Sequence, residues 1–152
     1  MQFFYDKFYP IIKKNNKNYK HKVVIGIGGN QGNMRKRFRN LYIYLLKDKR
    51  VSITQTSAIL QNPPFGFLKQ DDFFNAILVL KTSLSPKALL KFLLHVEKKF
   101  GRKRSFANAP RTLDLDMIFY NNDSIKTPKL TVPHPHWFER ESVVIPLYYL
   151  GA

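Results

Sequence analysis

The sequence predicts an α+β fold, a ferredoxin-like antiparallel sheet with helices packed on it. Three observations carry that expectation. Segments rich in β-branched residues alternate with segments of helical period. Two strand segments follow one another with no helix between them. The resulting order, β-α-β-β-α-β and then a C-terminal extension, is that of the split βαβ arrangement. A chain of 152 residues, 44% of them hydrophobic, is one globular domain's worth of sequence, with no internal repeat and no second domain.

Residues 1–22 are aromatic first and basic afterwards, without period, and read as an N-terminal arm ordered in part at most; the domain spans 23–152. Residues 23–27 are a short apolar run ending in Gly28-Gly29-Asn30, a buried strand running into a glycine turn. Phe38, Leu41 and Leu45, flanked by Tyr42 and Leu46, give residues 34–47 the spacing of an amphipathic helix. Val51, Ile53, Thr54, Thr56 and Ile59 predict one strand over 51–60, broken by Asn62-Pro63-Pro64-Phe65-Gly66. Residues 76–80 centre the next strand, 73–82. Ser85-Pro86 is a helix start, a capping serine before proline at the first helical position. Leu89, Leu93, Val96 and Phe100 continue that helix, and Gly101 stops it. Residues 102–110 form a basic loop and 112–120 a strand. Leu113, Leu115, Met117 and Phe119 are expected on one face of that strand, with Thr112, Asp114 and Asp116 on the other. Asn121-Asn122-Asp123 is a turn, Pro133-His134-Pro135 a further break, and 137–144 a short helix.

Lys and Arg number 26 against 10 Asp and Glu, a net charge of +16, and there is no cysteine. A disulfide framework and thiolate metal sites are thereby excluded. No apolar run approaches the ~20 residues a membrane helix needs. The first ten residues carry Asp6 and Lys7 and no small-residue cleavage site, so they do not read as a signal peptide. The expectation is a soluble cytoplasmic protein with no membrane partner. The charge points to an anion, whether nucleic acid, acidic lipid or nucleotide phosphate. Against it stands plain abundance of Lys and Asn, as in Lys13-Lys14-Asn15-Asn16-Lys17-Asn18.

Asp114-Leu115-Asp116 is the most informative triplet. Side chains two apart on a strand share a face about 7 Å apart, and two adjacent carboxylates repel unless a cation or proton lies between them. Mg²⁺ held by carboxylates and phosphate oxygens answers that repulsion; two solvated aspartates are the plain alternative. Arg102, Lys103, Arg104 and Arg111 lie close upstream, so the region carries the two signs of charge that a polyphosphate with Mg²⁺ requires, or else a solvated basic loop. Phe73-Phe74-Asn75 places Phe73 and Asn75 on one strand face, where an aromatic ring can stack on a flat heterocycle and a carboxamide can read its amide edge, unless this is an ordinary core strand. The glycine turn is not a dinucleotide fingerprint, since Gln31 stands where glycine is needed. Phe65-Gly66-Phe67-Leu68 matches an RNA-binding strand motif poorly, because Pro63-Pro64 precedes it.

Taken in order, Gly28-x-Asn30, Asn62-Pro63-Pro64-x-Gly66, Gln70-x-x-Phe73-x-Asn75-Ala76, Glu97-x-x-x-Gly101-Arg102-x-Arg104, Pro110-Arg111-Thr112-x-Asp114-x-Asp116, Pro133-His134-Pro135 and Arg140 resemble the 6-hydroxymethyl-7,8-dihydropterin pyrophosphokinase family from about Val23 to Leu150. The resemblance implies a ferredoxin-like fold and transfer of the β,γ-diphosphate of ATP to the pterin hydroxymethyl group, releasing AMP. It implies two Mg²⁺ ions on Asp114 and Asp116, with Arg104 and Arg111 on the phosphates. Glu97, Thr131, His134 and Arg140 would surround the nucleotide; Gly28, Pro63, Phe65, Phe73 and Asn75 would hold the pterin. Loops 61–72 and 102–110 would close over both. The partners expected are the two small-molecule substrates, ATP and the pterin, rather than nucleic acid, with the chain expected to be a monomer. Three positions depart from the family: Ala107 replaces a basic residue, Asn108 the tryptophan of some members, and Ser142 the phenylalanine that stacks on the second pterin face. Trp137 or Phe138 is a candidate to cover that face.

Two other readings remain at this level. A small RNA-binding module on the same fold would use the +16 charge as its footprint and show salt-sensitive RNA binding without ATP turnover. An inactive relative would draw on Ala107 and Ser142, but both aspartates are present.

Overall fold

The computed structural model describes residues 1–14 and 18–150. Asn15 to Lys17 of the Lys/Asn run, and the last two residues of the expected domain, lie outside the described residues. Among the described residues the chain is a mixed α/β protein built on an antiparallel sheet of seven strands. These are β1 (Gln2–Phe4), β2 (Ile11–Ile12), β3 (His21–Gly29), β4 (Val51–Thr56), β5 (Ile59–Asn62), β6 (Phe73–Thr82) and β7 (Asp114–Tyr120). The order across the sheet is β1-β5-β6-β3-β7, and β4 takes the place of β5 along the other half of β6, with β2 outside it. A separate two-stranded ribbon pairs β8 (Ile125–Lys126) with β9 (Thr131–Val132).

Helix α1 (Met34–Leu46) is capped by Asn33, whose side chain accepts from the Lys36 amide at 3.1 Å. Helix α2 (Pro86–Lys99) is capped by Ser85, which accepts from Ala88 at 3.2 Å. Both bury most of the expected stripes, Phe38, Leu41, Tyr42 and Leu45 from α1 and Leu89, Leu93 and Val96 from α2; Met34 and Phe92 join them, while Leu46 is exposed and Phe100 half-buried. They pack on the face of the sheet that carries Val23, Ile25, Ile27, Leu78, Leu80, Leu115 and Met117. At roughly 1.5–3 kcal/mol for each large apolar side chain removed from water, this layer supplies most of the drive to fold. Helix α3 (Glu141–Tyr148) lies on the other face, against β6 and β5. No helix among the described residues is long and apolar enough to cross a membrane.

Three local expectations are corrected. The predicted strand 51–60 is two strands. Ser57 separates them because its hydroxyl takes the Ile77 amide at 2.8 Å, where a continuous strand would offer a carbonyl. The alternation in β7 breaks at a bulge opposite Val24 and Ile25, so Tyr120 enters the helix-side core while Phe119 packs edge-on against Trp137 at 5.1 Å. The C-terminal helix starts at Glu141, after a separate 3-10 turn at Trp137–Glu139, and runs to Tyr148. Within the N-terminal arm, residues 2–4 and 11–12 form the short strands β1 and β2, and Tyr9, 1% exposed, donates to the Phe38 carbonyl at 2.8 Å.

Candidate active site

The sheet face opposite α1 and α2 carries two clefts that meet. The first, about 410 Å³, is walled by Gly28 of β3, Asn62 to Phe65 after β5, Phe73 and Asn75 of β6, and Arg140 to Val143 at the start of α3. The second, about 370 Å³, lies under the basic loop and is lined by residues 102–111 with His134 and Arg140. Asn108, Arg111, Asp114, Asp116 and Arg140 border both. Thus the cleft suited to a flat heterocycle opens into the cleft suited to phosphates at the acidic pair.

The register explains the first cleft. Gly28 lies opposite Asn75 on one side and Asp114 on the other. A Cβ at Gly28 would stand 2.5 Å from the Asn75 carboxamide oxygen, so only glycine lets Asn75 lie flat over β3. Asn75 donates to the Asn62 side chain at 2.6 Å, which ties the β6 floor to the start of the Pro63-Pro64 wall. The Phe73 ring lies beneath the Arg111 guanidinium at 5.5 Å, and the Phe65 ring beneath Arg140 at 5.7 Å.

Electrostatics divide the two aspartates. Asp114 accepts from Arg102 at 3.2 Å and from Arg111 at 3.1 Å. Asp116 has no hydrogen-bond or ion-pair partner among the described residues. Burial, then the charges of Asp114 and Glu97, push its carboxyl up to about 7, and only the more distant Arg140 and Arg111 oppose the shift. Glu97 of α2 is 3% exposed and lines neither cleft. It caps the outer edge of β7, accepting from the Leu115 amide at 2.7 Å and from Arg104 at 2.7 Å. Burial raises its carboxyl, and the Leu115 amide counters. The Arg104 side chain is 60% exposed, so that ion pair is screened by water. Burial and Arg140 hold the His134 imidazole below its ordinary value, and its buried Nδ1 lacks a hydrogen-bond partner. Thr131 sits in the β8–β9 ribbon and lines neither cleft.

The two loops touch. Gln70 donates to the Asn108 carbonyl at 2.8 Å and accepts from Asn30 at 2.8 Å. Asn30, 5% exposed, also accepts from the Arg111 amide at 2.9 Å. Phe67 meets Phe106 edge-on at 5.3 Å. The sequence motifs contain Asn30 and Gln70 without assigning them a role, and place Arg102 only in a basic loop. Their hydrogen bonds join residues 40 and 38 positions apart, or 12 in the case of Arg102, and no local pattern signals them. Trp137 and Phe138 line neither cleft, which corrects them as covers for the face opposite Phe73; Ser142 does line the first cleft.

No group of three or more metal-ligating side chains is gathered among the described residues. A divalent cation here would rest on Asp114 and Asp116 and complete its shell with ligand oxygens and water. That is the usual arrangement for Mg²⁺ on a nucleotide, and the partnerless Asp116 carboxylate fits it.

The sequence model of a family described as 7,8-dihydro-6-hydroxymethylpterin-pyrophosphokinase matches residues 24–152. A 2-amino-4-hydroxy-6-hydroxymethyldihydropteridine pyrophosphokinase of Helicobacter pylori is 40% identical over 143 residues, 93% of this chain and 88% of the relative. A protein of the same description from Campylobacter jejuni is 43% identical over 141 residues, 93% of this chain and 90% of the relative. One from Bacillus subtilis is 37% identical over 123 residues, 81% of this chain and 74% of the relative. The first two alignments are longer than residues 24–152 alone and so reach into the N-terminal strands.

Proposed function

The chain belongs to the 7,8-dihydro-6-hydroxymethylpterin-pyrophosphokinase family, and from that premise we propose how its two clefts do the work. The chain is an ATP-dependent pyrophosphokinase of folate biosynthesis, a transferase: the β,γ-diphosphate of ATP passes to the hydroxymethyl oxygen of 6-hydroxymethyl-7,8-dihydropterin, and AMP leaves. The comparisons give the RNA-binding alternative no support.

In our reading the pterin occupies the first cleft, with Phe73 stacking on its ring and Asn75 reading its amide edge; Gly28, Pro63 and Phe65 complete the walls. The triphosphate occupies the second cleft, facing Arg104, Arg111 and Arg140, with His134 beside it. Glu97 acts from behind, holding β7 and Arg104, and Thr131 lies outside both clefts. Asp114 and Asp116 would hold the Mg²⁺ that accompanies ATP, two ions in the full reading, which neutralises charge on the bridging oxygens. The pterin hydroxyl oxygen attacks the β-phosphorus and gives up its proton to water, the bond from that phosphorus to the α-phosphate oxygen breaks with its electron pair going to AMP, and the arginines offset the charge gathering there. Such transfer asks for positioning and charge neutralisation more than for covalent catalysis. The strand order of β4/β5, β6, β3 and β7 supports the ferredoxin-like reading of the core. The expectation of a cytoplasmic monomer is carried along with it.

The observation that carries this reading is the junction of the clefts at Asp116, whose carboxylate has no ion-pair or hydrogen-bond partner among the described residues. Calorimetry of ATP binding with Mg²⁺ and after its chelation tests it: affinity should fall at least about tenfold without the metal, ~1.4 kcal/mol. Equal affinity would remove the aspartates from a metal-holding role.

A further inference from the structure

The N-terminal strands precede the segment that the family model matches, yet they reach the pterin-side cleft. β1 adds an outer strand to β5 in the register Gln2↔Gln61, Phe3↔Leu60 and Phe4↔Ile59. That register stops one residue short of Asn62, and Met1 stands among the residues lining the cleft. Asn62 is the pivot of this wall. It faces Phe73 across the ladder, accepts from Asn75, and leads into Pro63-Pro64. Without β1, the four-residue β5 would be an edge strand with its outer row of amides and carbonyls in water, and short edge strands fray readily.

The arm is fastened away from the cleft. Phe4 packs on Phe74 at 5.8 Å, under the Arg35 guanidinium at 4.4 Å, and Arg35 is ion-paired with Asp6. Phe8 stacks on Tyr42 at 4.2 Å and 9°. Phe3 meets Tyr149 edge-on at 5.5 Å, just after α3, the helix that brings Ser142 and Val143 to the cleft. The arm therefore touches both walls, the end of β5 and the end of α3.

We propose that β1 is a positioning strand for the pterin side of the active site: by closing the outer edge of β5 it fixes Asn62, and through Asn62 the orientation of Asn75. The inference rests on the reading of the first cleft as the pterin site. The test is the full chain carrying Phe3→Pro and Phe4→Pro together. Consecutive prolines remove the ladder donor whichever amide faces β5, and both anchoring rings go with them. Arg35→Ala, which loosens the same strand with its backbone intact, is the second variant should the first fold poorly. KM for 6-hydroxymethyl-7,8-dihydropterin should rise at least about fivefold in the proline variant, and less in Arg35→Ala, with kcat and the KM for ATP held. Amide exchange at residues 60–62 should quicken. An unchanged pterin KM in both variants overturns the proposal, and so does an equal rise for both substrates, which would be general loosening. Absence of turnover in the unaltered chain contradicts the activity itself, not the role of β1.

Discussion

Asp114 and Asp116 lie two residues apart on one strand and have opposite surroundings, which makes their behaviour separable. Asp116 has its carboxyl raised to about 7 by burial and by two like charges. Between the ordinary carboxyl value of about 4 and the folded value of about 7 the native state holds a proton that the unfolded chain has released, so stability falls as the pH rises through that window and stays reduced above it. Asp116→Asn removes the cost. It should raise the melting temperature at about pH 8, with the gain shrinking as the pH falls below 7 and gone below about pH 4, where the unfolded carboxyl is protonated as well. A gain that ignores pH would mean that burial and the like charges do not raise the Asp116 carboxyl. Asn75 offers a second test. Asn75→Ala leaves a pterin edge unpaired and should cost about 1–3 kcal/mol of pterin affinity with ATP affinity held. Calorimetry showing equal losses would point to a damaged sheet. Both side chains were legible in the sequence, because period 2 on a strand fixes which residues share a face. Arg102 was not, since its contact with Asp114 depends on how the loop after Gly101 folds back.

At the scale of elements, α3 departs most from the expected site. It presents Ser142 to the first cleft, while Trp137 stays against Phe119 and Phe138 is 62% exposed. The face opposite Phe73 is thus free of a ring from this segment. Ser142→Phe should tighten pterin binding by about 0.5–1.5 kcal/mol and leave ATP affinity as it is. Weaker binding would show that the space opposite Phe73 is already filled. The helices were legible from their stripes and, for α2, from the Ser85-Pro86 start; the Asn33 cap of α1 was not read. The break at Ser57 was not, because Val51 to Ile59 keeps strand composition through it. What divides the strand is a serine hydroxyl bonded 20 positions away. The bulge in β7 hides in the same way, since Ile118, Phe119 and Tyr120 are all strand formers and the phase shift follows from pairing with β3.

For the whole molecule, the order of strands and helices could be read, but the N-terminal strands could not. β1 and β2 have three and two residues, too short for any period, and their stability comes from β5, β4 and the Tyr9 anchor. The meeting of two clefts at the acidic pair is likewise a property of the assembled sheet, which brings Gly28, Asn75 and Asp114 into one row from three separate strands. The account stands on that meeting: one cleft for the pterin, one for the triphosphate, and transfer where they join. The most direct test is phosphorus NMR of the chain with ATP, Mg²⁺ and 6-hydroxymethyl-7,8-dihydropterin, beside the Asp116→Ala variant. The account predicts AMP and pterin diphosphate in equal amounts, and neither from the variant. ADP with inorganic phosphate, or undiminished AMP formation by Asp116→Ala, would contradict it.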